Sequence, residues 1–412
     1  MPLKPLTLAA PVTLLLAAGC HAPTFPTYPD GYREFAYVAN SAGNTVTILD
    51  LVYLRPDRTI PVGIAPVALA VNPQRDEIYV VNAQPNQPAG SVSIIDTTRN
   101  AVVATIPVRR NPTYISVDIS GQRAFVVNTG SNTVSMIDLD TRRVIVSLPT
   151  GDKPATALIS PDGRTLVVTN QAGGSISIYS AGIPPLSNKT TLGTRIAPGP
   201  PLTLRATFTG CPGASDAVIL PDNTKTFVAC SGAHQVMSIW LAAAPDSLSA
   251  KLDPSLTSDH VLALLDVGRN PTNLTLKPDG GEVFASNRDS DSVSEIATPT
   301  NEVGSTYAIG NQPAHGLVSG DNSALWVSNL GAESVSLYSI EDGRFLSSIR
   351  TGMSPDALAF SDGETFLLAA DTRSGDVAII RTASKLGPAL QTILPAGGSP
   401  AAIAVKAMPA KP

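Results

Sequence analysis

One short apolar run recurs eight times along this chain, and that recurrence limits its possible folds more than any other feature. The copies begin at Ala36-Tyr37-Val38, Ile78-Tyr79-Val80, Ala124-Phe125-Val126 and Thr165-Leu166-Val167. They continue at Thr226-Phe227-Val228, Glu282-Val283-Phe284, Ala324-Leu325-Trp326 and Thr365-Phe366-Leu367. Their starts lie 42, 46, 41, 61, 56, 42 and 41 residues apart. A unit in the low forties, with two insertions, has the length of one four-stranded propeller blade.

Each unit reads in the same order. A Pro opens an apolar strand, as in Pro66 to Val71, and a turn such as Ser160-Pro161-Asp162-Gly163 follows. Pro presets φ in such a turn and Gly accepts a positive φ. The recurring run then ends on Asn, as in Tyr79 to Asn82. An alternating stretch such as Ser91 to Asp96 comes third, and Val102 to Ile106 gives a fourth strand. Alternation over so few residues marks strand rather than helix. Gly (32) and Pro (36) make up about one residue in six, which leaves little room for long helices. The fold class is therefore all-β, a propeller of four-stranded antiparallel blades.

Blade number follows from pairing the ends. Eight opening strands begin near Pro66, Pro112, Pro154, Ala214, Pro271, Pro313, Pro355 and Pro400. The run at Ala36 lacks an opening strand before it, and Pro400 to Val405 lacks a run after it. Joining the two closes the ring and removes both exposed edges, giving eight blades. Seven blades would require one degenerate repeat to be something else.

These residues resemble the YVTN family of bacterial β-propeller repeats. Val80-Val81-Asn82, Val126-Val127-Asn128 and Val168-Thr169-Asn170 match its core motif, as do Ser91 to Asp96 and Thr133 to Asp138. The resemblance covers residues 36 to 405. Blades four and five depart from it, with Cys230 or Ser231 where Asn would stand and insertions at Ala181 to Pro201 and Leu241 to His260. The family's members do many things, so the resemblance implies architecture more than activity.

The first twenty residues form a separate element. Lys4 precedes an apolar stretch from Leu6 to Ala18, too short to span a bilayer comfortably. It ends in Ala17-Ala18-Gly19-Cys20, which resembles a bacterial lipobox, with Ala17 where Leu is commoner. Residues 1–20 are thus expected to be a lipoprotein signal with Cys20 acylated. Residues 21–35, with Pro23, Pro26 and Pro29, make a tether, and 36–408 a single propeller domain. His21 is not the Asp that resembles an inner-membrane retention signal, which favours an outer-membrane location facing the periplasm. In that oxidising space Cys211 and Cys230 are a candidate disulfide, with two unrelated buried thiols as the alternative.

No strong catalytic motif is present: no Gly-x-Ser-x-Gly, no His-Glu-x-x-His, no Cys-x-x-Cys and no phosphate loop. Four histidines, one of them in the tether, do not suggest a multi-histidine metal site, and no cofactor is expected. A net charge of −5 with no block of one sign argues against nucleic acid.

Attention therefore falls on the channel, which the opening strands line. Two residues after each opening position stand Ala68, Tyr114, Thr156, Asp216, Asn273, His315, Ala357 and Ala402, a polar arc over five consecutive blades. One residue before it, Asn111, Lys153, Gly213, Asn270 and Gln312 cover the same arc, with Arg110 and Arg269 at the mouth. A one-sided polar arc suits a small ligand. The alternative is a water-filled channel that tolerates any polar side chain. Asp216 and His315, flanking Asn273, are candidates for an acid–base pair. Lys153, Arg110 and Arg269 are candidates to receive an anion.

The motif asparagines are expected to satisfy local backbone groups, the Ser-x-Ser alternation to mark an outward face, and Trp240 and Trp326 to pack between blades. The expected function is a lipid-anchored binding or scaffold module for a partner protein, an envelope polymer or a small ligand. Alternatives are a hydrolase of the propeller lactonase type, which the repeat resembles, and a haem d1-binding protein with His315 as axial ligand.

Overall fold

The computed structural model describes residues 26–182, 201–243, 254–383 and 387–408. Cys20, the start of the tether, and the middles of both insertions lie outside them. The described residues form eight separate four-stranded antiparallel sheets, and no α-helix occurs among them. The ring closes where Arg33–Asn40 pairs with Thr45–Asp50 on one side and with the last strand, Pro400–Met408, on the other. We call that sheet blade 1 and number the rest around the ring to blade 8. The protein is an eight-bladed β-propeller. Its first strand starts at Arg33, inside the segment expected as tether.

The innermost strands of blades 2 to 8 are Pro66–Val71, Pro112–Val117, Pro154–Ile159, Ala214–Ile219, Pro271–Leu276, Pro313–Val318 and Pro355–Phe360. Pro is tolerated at the first position of a strand because its missing N–H leaves no gap in the ladder there. Second strands carry the core. Three residues before the motif Asn position stand Tyr37, Tyr79, Phe125, Phe227, Phe284 and Trp326, all at most 3% exposed. They lie in six of eight apolar clusters, each cluster built from two neighbouring blades. Tyr79, Val92 and Ile94 of blade 2 pack with Ile115, Val126 and Ile137 of blade 3. Ala36, Val38 and Leu49 of blade 1 pack with Phe366, Leu368 and Val377 of blade 8. Burying each such side chain contributes about 1.5–3 kcal/mol, so the ring is held by what lies between blades. Trp326 belongs to one of these clusters. Trp240 does not, and instead stacks on His260 of its own blade, centroids 6.3 Å apart.

A repeated clamp ties each second strand to its neighbours. The amides of Asn40, Asn82, Asn128, Asn170, Asn287 and Asn329, none of them exposed, donate to two hydroxyls on the third strand. Asn82 reaches Ser91 and Ser93 at 3.1 and 3.0 Å. The Ser-x-Ser alternation is therefore a buried acceptor row, not an outward face, with Ser93 1% exposed. The amide oxygen of Asn170 accepts the N–H of Gly151, nineteen residues earlier, at 3.0 Å. A Cβ at Gly63, Gly151, Gly268 or Gly310 would come within 2.4–2.7 Å of this Asn side chain, so Gly is required there.

Blade 5 replaces the clamp. Cys211 stands at the Gly position and Cys230 at the Asn position, with the same separation of 19, and their sulfurs are bonded with Cα atoms 4.7 Å apart. Blade 8 varies it differently. Asp371 stands in for Asn and Asp376 for Ser, and Asp371 Oδ2 accepts the Gly352 N–H at 3.0 Å. Burial and then the adjacent Asp376 raise the Asp371 carboxyl to about 7.

Candidate functional site

Strand direction fixes where the polar arc sits. Inner strands start beside the ends of second strands, as in the Asn40–Pro400 pairing, while the chain enters blade 1 at the other end, where Arg33 faces Met408. The arc, near the inner-strand starts, therefore opens on the face opposite both ends of the described chain.

The arc side chains reach across blade boundaries. Asp216 Oδ2 accepts the Asn273 amide at 2.8 Å and the Leu274 N–H at 2.9 Å, both on blade 6, while Oδ1 accepts its neighbour Ala217 N–H at 2.9 Å. Asn273 Oδ1 accepts the Gly316 N–H of blade 7 at 3.2 Å. The channel edge of an inner strand has no partner strand, and a buried N–H must find an acceptor somewhere. Asp216 and Asn273 supply it, so both act as blade-to-blade latches. Burial raises the Asp216 carboxyl, outweighing the opposing hydrogen bonds from Leu274, Ala217 and Asn273 and the charge of His315. Thr156 turns to Thr169 of its own blade, oxygens 2.9 Å apart.

His315 differs from its neighbours in the arc. Its Nδ1 lies 2.7 Å from Asp356 Oδ1 of blade 8, and 49% of its side chain is open to the channel although it lies deep in the ring. Burial opposes the cation, but the hydrogen bond and charge of Asp356, with the charge of Asp216, outweigh it and hold the imidazole above its ordinary value. Asp356 responds in the matching sense: burial works against it, yet His315 and Arg288 hold it below the usual carboxylate range. Nδ1–H donates to Asp356, and Nε2 has no protein partner among the described residues. An imidazole oriented through one nitrogen and free at the other can take a proton, donate to an anion or ligate a metal.

Tyr114 is the other free group. Among the described residues its hydroxyl has no protein partner, and burial followed by the charge of Asp216 raises its pKa, so it remains a neutral donor. Blade 3, which carries it, stands four blades from blade 7, so Tyr114 and His315 lie on opposite sides of the channel. Ala68, Ala357 and Ala402 complete the wall.

The second ring has a backbone explanation. Ala65, Asn111, Lys153, Gly213, Asn270, Gln312, Ser354 and Ser399, each just before an inner strand, all have φ between 47° and 69°. Asn and Gly are the residues that tolerate this region best. Their N–H groups are held from the preceding blade: Lys153 by Asn132, Asn270 by His234 Nδ1 and Gln312 by Asp291, at 2.9–3.1 Å. Arg110 caps the Gly130 carbonyl at 2.8 Å and Arg269 that of Asp289 at 2.7 Å, while the Lys153 side chain is exposed.

Sequence reasoning missed Asp356, which sits one residue after the opening Pro rather than two. Its signal was available: the equivalent positions are Val67, Thr113, Ala155, Ser215, Thr272, Ala314 and Ala401, and Asp356 alone is charged. No group of three or more His, Cys, Asp or Glu suited to a metal occurs among the described residues. A cleft of about 360 Å³ between blades 5 and 6 opens on the opposite face, and its cation, Lys225, is held by the Thr298 carbonyl at 2.7 Å.

No family model and no curated protein matches the chain. Solved structures do match its fold. A dihydro-haem d1 dehydrogenase, NirN, is 14% identical with TM-score 0.67, covering 94% of this chain and 78% of that one. A putative 6-phosphogluconolactonase from Bacteroides uniformis is 15% identical with TM-score 0.59, covering 92% and 100%. The periplasmic gluconolactonase PpgL of Pseudomonas aeruginosa is 15% identical with TM-score 0.57, covering 92% and 99%. The class these comparisons define is the β-propeller, with lactonase-like and haem d1 propellers among its structural neighbours.

Proposed function

We propose that this chain is a lipid-anchored propeller of the YVTN type that works as a binding module of the bacterial cell envelope. Its ligand is a small molecule held in the channel by His315. One observation carries the reading: in the polar arc, where Asp216 and Asn273 latch neighbouring blades, His315 is oriented by Asp356 and left half open to the channel. Anchoring through Cys20 would place the membrane at the face where the described chain begins and turn the arc's mouth towards the periplasm. The absence of any catalytic motif supports binding over turnover.

The His315–Asp356 pair also favours a second reading, a lactonase-type hydrolase in which Asp356 orients His315 as the base. Two structural neighbours carry lactonase names, at identities that support only the fold. A haem d1 group, present in the name of a third, would take His315 Nε2 as its axial ligand. Native mass spectrometry and an absorbance spectrum of the protein purified from its own envelope separate the three. The binding reading expects a co-purifying small mass, no haem absorption and no hydrolysis of a lactone panel. Lactone turnover abolished by His315→Ala would replace it with the hydrolase, and a haem spectrum with the third reading.

A further inference from the structure

The channel wall across from the polar arc is built from one residue type. Two and four residues after the opening position, blades 8, 1 and 2 carry Ala357 and Ala359, Ala402 and Ala404, and Ala68 and Ala70. Blades 3 to 7 have no alanine at either position. All of these alanines except Ala404 are part-exposed, although they sit on the innermost strands. The fold does not demand alanine there. Tyr114 and Leu158 stand at the same two positions and pack against the clusters between blades 3 and 4 and between blades 4 and 5.

The bias continues to the face on which the arc opens. Two residues before the opening position stand Met353 on blade 8, Gly398 on blade 1 and Ile64 on blade 2. Met353 is 46% and Ile64 48% exposed. On blades 3 and 6 the same position holds Arg110 and Arg269. Three adjacent blades thus present one apolar strip, running from the mouth into the channel. Exposed apolar surface within a concavity is what the body of an apolar ligand covers.

The polar groups left free beside this strip are donors. Backbone N–H groups of the next blade occupy Asp216 and Asn273, and Thr156 is turned to Thr169. Among the described residues that leaves Nε2 of His315, on blade 7, and the Tyr114 hydroxyl, on blade 3. Those two blades flank blades 8, 1 and 2, so the free donors bracket the alanine strip, one at each edge. Asp356 and Asp216 hold the imidazole towards its cation, and the exposed Lys153 side chain adds a positive charge at the mouth.

We infer that the ligand of this channel is an anionic amphiphile, its apolar body laid on the alanine strip of blades 8, 1 and 2 and its oxyanion accepting the Nε2–H of His315. The inference rests on the channel-binding reading above and adds a chemical class to it. A cationic head would meet donors only, and a wholly polar ligand would leave the strip against water.

Titration calorimetry of the full chain in lipid nanodiscs, with empty nanodiscs as the blank, tests this. Decanoate and 2-naphthoate are the aliphatic and aromatic probes; acetate keeps the head alone, and decyltrimethylammonium reverses its charge. At least one of the two acids should bind once per chain, about tenfold or more tighter than either control. His315→Ala should weaken that acid about tenfold or more by removing the donor. Ala402→Asp should do the same by placing a carboxylate in the strip, at a position that carries Asp216 on blade 5. If Ala402→Asp misfolds, Ala402→Leu, an uncharged plug, decides in its place. Two acids that bind no tighter than acetate overturn the inference, as does an acid held equally by wild type and the Ala402 variant. In that second case a loss on His315→Ala leaves the channel reading standing. An acid held equally by wild type and His315→Ala overturns both.

Discussion

Asp216 and His315 occupy the same repeat position on blades 5 and 7, and the ring puts them to different work. Asp216 has both oxygens engaged by three donors, two of them on the next blade. Removing it leaves the Leu274 N–H and the Asn273 amide without an acceptor, at roughly 1–3 kcal/mol for each buried group. Asp216→Ala should therefore lower the melting temperature clearly in differential scanning calorimetry. His315→Ala removes a half-exposed ring and should leave the melting temperature within a degree or two of wild type. The imidazole itself should titrate above the ordinary histidine range, because Asp356 and Asp216 favour its cation. Asp356→Asn should bring that titration down, as read from the His315 ring resonances by NMR.

At the scale of the element, the clamp between second strand, third strand and preceding link predicts what the odd blades tolerate. Cys211→Gly with Cys230→Asn would place in blade 5 the Gly–Asn pair of blades 2, 4, 6 and 7 but not its hydroxyl acceptors, because Gln235 and Met237 stand there, so the double variant should melt independently of reductant and below the oxidised wild type. Cys230→Ser alone should cost about 2–4 kcal/mol in denaturant unfolding. In blade 8 the sign of the pH effect follows from Asp371. Its carboxyl is raised from 3.8 to about 7, so the folded state holds the proton more tightly than the unfolded chain does. Stability from this group is complete at low pH, falls as the pH rises through that window, and is flat above it. Asp371→Asn should abolish that slope and stabilise the protein at pH 8, by roughly 1–3 kcal/mol in urea unfolding.

Much of this was open to sequence reasoning, because repeat position equates residues across blades. The spacing of 19 between Cys211 and Cys230 equals that between Gly151 and Asn170, which alone would have favoured the bond. The positive-φ ring was readable too, in its Asn and Gly. The direction in which an arc side chain leans was not readable, since it depends on the stagger between neighbouring blades. Asp216 and Asn273 therefore looked like ligand contacts, and Asp356 went unseen.

At the scale of the whole molecule, the ring is stabilised between blades and closed by its last strand. Ending the chain at Ser399 would remove Pro400–Met408 and uncover the edge of Arg33–Asn40 together with part of two apolar clusters. That truncation should yield aggregated protein rather than a soluble ring. The topology also puts both ends of the described chain on one face of the ring and the arc on the other. Native mass spectrometry of wild type and His315→Ala, each purified from the envelope, tests the central claim most directly. The account predicts a small ligand on the wild type that is missing from a His315→Ala protein of unchanged melting temperature. A ligand retained by the His315→Ala variant would contradict it and move the site away from the channel.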